Sequence, residues 1–495
     1  MNTLTMGSGN KYHSAKIWQI GLFALNNTAT NLYMFALMFV SYYATGVAGL
    51  TVVIVSTILT FMRVFDGFTD PIIGFIIDKT ESKFGKFRPI MIIGNLILAG
   101  SILVMYNVTH QLPESFQMIF FIGIYAIYII GYTMQTAVTK AAQTVLTNDP
   151  KQRPLFSIFD SAYNIVIFTG GQIYVASYLI AKHGDFTLGL FAELNTIVMI
   201  SAGVFTALAV IALWQKDRKE FFGLASQTVN TRFRDYWPIL KGNRPLQMLI
   251  ISASSDKLAS SVMRQAPVTV MFFGIMLGDY ALSGTISMIT IIPGLIITFL
   301  GVNYARKRGM KSTLVKASWL GIISFGILVP FFLAIDPATV SLSNLGVTTI
   351  LFLLLYSIGM GVATLTPSIV IPMIADVSDY ETYKTGRFVP GMMGTIFSFI
   401  DKMVSSLAPA LVGFLVAFIG YQNEFPQLGE TLTTPLLIMT LVLVFGVPIA
   451  GWLISVIAMK FYDLDSGKMD EIQTEIAKKK QTLNTEKEED LPEIV

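Results

Sequence analysis

Long apolar stretches set the first limit on what this chain can fold into. Twelve occur, at about residues 17–43, 50–78, 89–107, 117–146, 155–181, 191–215, 246–275, 281–304, 313–335, 346–374, 391–420 and 432–460. Each is close to the ~20 residues that a helix needs to cross a hydrocarbon layer of about 30 Å. In lipid the backbone can satisfy its own polar groups only as a helix or a closed barrel, and spans of this length read as helices. Charged residues make up 13% of the 495 residues and mean hydropathy is +0.64, whereas soluble domains are about 25% charged. The sequence therefore predicts an all-α membrane protein and argues against a soluble enzyme. Cysteine is absent, which removes disulfides, thiol catalysis and Cys-based metal sites. His13, His110 and His183 are scattered and predict no metal cluster, and a net charge of +3 is too small to suggest a nucleic-acid partner.

Lys and Arg are retained on the cytoplasmic side of short membrane loops. With residue 1 inside, 22 of the 34 Lys and Arg residues fall on the N-terminus and inner loops, and one, Lys182, falls on an outer loop. That partition predicts a multi-pass protein of the cell membrane with both termini cytoplasmic. The first 16 residues are polar, so no cleaved signal peptide is expected. The polar stretch 216–244 reads as a cytoplasmic linker between two six-helix bundles, 1–215 and 245–460, and 461–495 as a charged cytoplasmic tail. The halves echo one another. Gly74, Asp78-Lys79 and Gly85-Lys86-Phe87-Arg88 follow the second span, as Gly301 and Arg306-Lys307-Arg308-Gly309 follow the eighth. Such weak internal symmetry marks duplicated transporter bundles.

An ionisable group at the bilayer centre costs at least about 2.5 kcal/mol, so charges inside spans point to function. Arg63, Asp66 and Asp70 lie three and four residues apart in span 2, on one helical face. The two acids repel if both are ionised, and Arg63 can neutralise one. A proton, a hard cation or a basic side chain from another helix must balance the other. Pro71 removes a helical hydrogen bond and frees the carbonyl of Gly67 as a further oxygen ligand. Span 4 contributes Thr133, Gln135, Thr136 and Lys140, with Asp160 of span 5 as the expected partner of Lys140. Asp256, Lys257 and Arg264 lie in span 7, and Asp401 and Lys402 in span 11. Asp256 and Lys402 fall near mid-depth, where a cavity between bundles needs polar groups. Asn26, Asn27, Thr28, Thr30 and Asn31 make span 1 polar and suit a polyhydroxylated ligand. The alternative for these amides and hydroxyls is a seam of interhelical hydrogen bonds.

Three motifs carry a family resemblance: Asp66-Gly-Phe-Thr-Asp70-Pro71-x-x-Gly74 with Lys83-Phe-Gly85-Lys86-Phe87-Arg88-Pro89; Ala375-Asp376-Val377-Ser378-Asp379-Tyr380-Glu381 with Lys384 to Arg387; and Asn243-Arg244-Pro245-Leu246. Together they resemble the glycoside, pentoside and hexuronide cation symporters, the melibiose permease family, along the whole chain. The resemblance implies the major facilitator fold and secondary transport of a sugar-like solute coupled to Na+, Li+ or H+, with no other cofactor. It implies cation ligation by Asp66, Asp70 and Thr133, with Thr69 where the family often has Asn, and it matches the family's helix-eleven lysine to Lys402. The family's sugar-contacting acids fall on Asn27 and Thr136, its helix-four tryptophan on Lys140, its helix-five arginine at or beside Asp160, and its helix-ten tryptophan near Pro367. The cation machinery is kept and the solute pocket is rewritten.

The expected mechanism is alternating access in a monomer surrounded by lipid. A cation at Asp66, Asp70 and Thr133 orders spans 2 and 4, so that Asn26, Asn27, Gln135, Thr136, Lys140, Asp160, Asp256 and Lys402 present a solute site, for a glycoside in the first instance. Asp78, Lys86 and Arg88, together with Asp376, Asp379 and Arg387, are expected to gate the cytoplasmic mouth. Two rivals are an acidic solute, such as a hexuronide or a lipid headgroup, drawn by Lys140, Lys257, Arg264 and Lys402, and a non-transporting membrane receptor or enzyme.

Overall fold

The computed structural model describes residues 14–80, 82–147, 152–218, 236–386 and 390–489. They form helices α1 (Ile17–Leu37), α2 (Val52–Lys79), α3 (Arg88–Val108), α4 (Glu114–Ala141), α5 (Leu155–His183) and α6 (Leu188–Leu213). A second set comprises α7 (Arg244–Met263, continued at an angle by Ala266–Met276), α8 (Leu282–Arg308), α9 (Met310–Ala334), α10 (Val347–Thr385), α11 (Met393–Phe418) and α12 (Thr434–Lys460). A polar helix, α13 (Ser466–Glu489), follows. Among the described residues ten helices are long and apolar enough to cross a membrane, and the pair making α7, bent by 62°, raises this to eleven. The twelve spans expected from the sequence are therefore met to that extent. α1 has the length, but Asn26, Asn27 and Asn31 dilute its apolar run.

The two halves pack alike. α1 lies on α6 as α7 lies on α12, α3 on α4 as α9 on α10, and α2 on α4 as α8 on α10. The helices that join the halves are also paired, α2 with α11 and α5 with α8. Large apolar side chains such as Phe299, Phe418 and Leu295 point outward and are exposed, as expected of a bundle whose solvent is lipid.

The loop after α2 and the loop after α8 are held in the same way, each by the chain that follows the last long helix of its half. Gly85 has φ +98° and lies against Asp217, beyond α6; Gly309 has φ +88° and lies against Ser466, beyond α12. An added Cβ at either glycine would collide with that neighbour, and the positive φ already favours glycine there. These contacts, with Lys216 Nζ donating to Ser14 O at 3.3 Å, gather the basic loops on one face of the molecule.

On the opposite face the halves close together. Tyr42 stacks on Phe186, with centroids 4.4 Å apart, and approaches Phe425; Phe186 also meets Tyr280. The Tyr42 hydroxyl donates to Pro426 O at 2.8 Å, and Val52 N to Gln422 O at 3.0 Å. Gln172 Nε2 donates to Ser283 Oγ at 2.9 Å.

Candidate cation and solute sites

α2 carries Asp66, Thr69 and Asp70 within little more than one turn, and the helix runs without interruption from Val52 to Lys79. Asp66 is buried, and its Oδ1 accepts a hydrogen bond from Thr133 Oγ1 of α4 at 3.1 Å. Thr133 Oγ1 is also 2.8 Å from Thr69 Oγ1, which donates to Asp66 O at 2.9 Å. The four residues expected to form the cation site are thus brought together. The balancing charge comes from the other half: Lys402 Nζ of α11 lies 2.6 Å from Asp66 Oδ2 and 3.0 Å from Asp70 Oδ2. Of the three ways to balance the two acids, the structure shows the basic side chain from another helix. Arg63 is exposed and forms no ion pair among the described residues. Sequence reasoning placed Lys402 with the solute; in the structure its ammonium bridges the two carboxylates of α2.

The residues expected to bind solute separate into three environments. Asn26 and Gln135 have almost no exposed surface. Asn26 Nδ2 donates to Thr139 Oγ1 at 2.8 Å and Gln135 Nε2 to Met91 O at 2.6 Å, so both hold α1, α3 and α4 together instead of facing a cavity. Asn27 and Asp160 are both partly exposed. The expected pairing of Asp160 with Lys140 is corrected: Lys140 is exposed, Asp160 Oδ1 is buried without a hydrogen-bond partner, and no ion pair joins the two among the described residues. Thr136 Oγ1 donates to Thr133 O at 3.2 Å, which keeps it next to the threonine that meets Asp66. Asp256 lines a cavity of about 500 Å³ within the second half, with Lys257, Ser260, Arg264, Thr366 and Asp401. Lys257 Nζ is 2.5 Å from Asp401 Oδ2, a pair that sequence reading missed although both charges stood out inside spans.

Of the residues expected to gate, those after α2 are held within their own half in this state. The loop carrying Lys86 and Arg88 is tied within its own half: backbone N–H groups of Lys86, Phe87 and Arg88 donate to the Asp217 carboxylate at 2.9 to 3.0 Å, and Arg88 Nε lies 3.5 Å from it. Asp217, overlooked in the sequence, is a buried anion at the start of α3, where free N–H groups favour negative charge. Asp379 accepts from Gln473 Nε2 of α13 at 2.6 Å, and Asp376 lies in the same region, half-buried near Arg306 and Lys311. Arg387 and the Asp78 side chain lie outside the described residues.

A family model described as MFS/sugar transport protein matches residues 22–466. The glucuronide carrier protein homolog of Escherichia coli (strain K12) is 24% identical over 474 residues, covering 92% of this chain and 95% of that protein. The isoprimeverose transporter of Lactiplantibacillus pentosus is 23% identical over 449 residues, covering 90% and 88%. Among solved structures, a bacterial homologue of the iron transporter ferroportin in its inward-facing state is similar in fold, with TM-score 0.63, 14% identity, and coverage of 90% and 99%. A bacterial homologue of ferroportin in an outward-facing state gives 0.56 at 13% identity, with the same coverage. The chain belongs to the MFS/sugar transport protein family: it is a multi-pass membrane transporter and not an enzyme.

Proposed function

We propose that this transporter accumulates a hydroxylated, sugar-like solute in the cell by alternating access, driven by one monovalent cation, Na+, Li+ or H+, that visits Asp66 and Asp70. The single observation that carries this reading is the Lys402 ammonium bridging both carboxylates from the other half. The ammonium stands in for the mobile cation: same charge, same oxygens. When an ion enters from the opposite face, it takes over Asp66, Asp70 and Thr133, and Lys402 is released. That release breaks an ion pair spanning α2 and α11, the joint between the halves, and lets them rock. Ion departure restores the pair in the form seen here, closed on the face away from the basic loops. The basic loops lie in the cytoplasm by the charge rule for short loops; the protein sits in the cell membrane, works as a monomer and needs no cofactor besides its ion.

The relatives carry sugars and glucuronides by name. Lys257 and Arg264 in the cavity of the second half favour a second reading in which the solute is acidic. Uptake of a panel of methyl glycosides and glucuronides into proteoliposomes, each under Na+, Li+ or pH gradients, tests both. Gradient-driven accumulation of at least one panel member is expected; uptake of glucuronides alone selects the acidic solute, and no gradient-driven accumulation of any member refutes the coupling.

A further inference from the structure

Asp256 stands apart from the cation site. It is 7% exposed, both carboxylate oxygens are buried, and neither has a hydrogen-bond partner. Every element packed against it leaves its charge unbalanced. On its own helix, Lys257 is turned aside to Asp401 at 2.5 Å, and Arg264 lies two turns further on, about 12 Å along the axis. From α11, Asp401 is held by Lys257, and Lys402 reaches into the other half. From α12 come Ser455, whose hydroxyl is 2.6 Å from that of Ser252, and Trp452. α10 and α9 bring Ala363, Thr366 and Phe325 and no charge. An unpaired, unsolvated carboxylate costs several kcal/mol and takes up a proton instead.

The site is also built to change. Asp256 borders the cavity of about 500 Å³, and α7 breaks two turns beyond it, where Arg244–Met263 and Ala266–Met276 meet at 62°. Broken helices of this kind accompany binding sites in transporters.

We propose that Asp256 is a proton-binding site in the second half, separate from the cation site on α2 and α4. The carboxylate takes one proton from water when α7 opens the site, holds it as the neutral acid in the state described here, and returns it to water when the site is next opened. Transport then responds to a pH gradient even where the coupling ion at Asp66 and Asp70 is Na+.

Infrared difference spectroscopy of the full-length protein in detergent, wild type minus Asp256→Asn at neutral pH, reads the proton without transport. A protonated carboxyl band, shifted in D2O, unchanged by Na+ and kept in an Asp66→Asn background, is expected; ionised carboxylate bands in its place overturn the proposal. Should Asp256→Asn fail to fold, Asp256→Glu is compared instead, and the band must move with the longer side chain. The second arm rests on the transport reading. In proteoliposomes, Asp256→Asn is expected to lose all stimulation of glycoside uptake by a pH gradient. Stimulation equal to wild type, or none in wild type, overturns the proposal. Loss of coupling at Asp66 and Asp70 leaves the infrared result untouched, so the two readings fail separately.

Discussion

Replacing Lys402 by Met removes the resident ammonium from between Asp66 and Asp70 and leaves their negative charge for a mobile ion. Breaking a fully buried ion pair costs about 3–5 kcal/mol, and an exposed one is worth about 0–1 kcal/mol. The side chains here are 36% exposed for Lys402, 11% for Asp66 and 49% for Asp70, so the ammonium's hold on the site lies between these limits, about 1–3 kcal/mol. An ion that no longer has to displace it gains that free energy, which corresponds to about 5–150-fold tighter binding. The assay is the thermal unfolding midpoint of purified protein, titrated with NaCl or LiCl at constant ionic strength, since a ligand of the native state raises stability with its concentration. The Met variant is expected to reach its half-maximal shift at 5–150-fold lower ion concentration, while Lys402→Arg stays near wild type. An unchanged or weaker ion response in the Met variant refutes the idea that ammonium and ion share one place.

Further outcomes follow from contacts elsewhere. Asp217→Ala leaves three backbone N–H groups at the start of α3 without their acceptor and is expected to cost about 2–4 kcal/mol, read as a lower unfolding midpoint; a midpoint within error of wild type contradicts the anchor. Gly413 approaches Ser56 across the halves so closely that a Cβ would overlap it, so Gly413→Val is expected to open the face away from the basic loops. Spin labels flanking the Val52 and Gln422 contact, placed in this naturally cysteine-free chain, should then report longer distances. On the same face, burial and then the nearby charge of Glu430 raise the Asp185 carboxyl above the usual range, against a partial opposing effect of the Phe186 N–H. The closed form therefore holds the proton more tightly. Closure is favoured most at acid pH and weakens as pH climbs from about 3.9 through the raised value; Asp185→Asn should flatten that dependence of the spin-label distance.

The fold was readable because lipid leaves few choices: length and apolarity give helices, and the pattern of Lys and Arg gives the loops. α1 and α7 are the exceptions, for physical reasons. α1 spends its polar residues on buried contacts such as Asn26 with Thr139, and α7 is bent at Gln265, where Pro267 opens the next segment. The pairing of Asp66 with Asp70 was legible because helical spacing and charge cost act locally, whereas Thr69 and Thr133 joined them only through the family resemblance. The ion pair of Asp66 and Asp70 with Lys402, 332 residues from Asp70 in sequence, was not legible, since the partner of a charge depends on how two bundles dock. The same limit explains why Asn26 and Gln135 read as solute ligands but serve as packing bonds, and why Asp217, one acid in a polar loop, gave no signal.

The most direct test of the central claim is uphill transport by Asp66→Asn and Asp70→Asn in proteoliposomes. A tenfold ion gradient, coupled one for one without membrane potential, stores about 1.4 kcal/mol and sustains at most about tenfold accumulation. Using a glycoside that wild type concentrates, both variants are expected to equilibrate it without concentrating it. Accumulation by either variant to the wild-type level would contradict a coupling ion held by these two carboxylates.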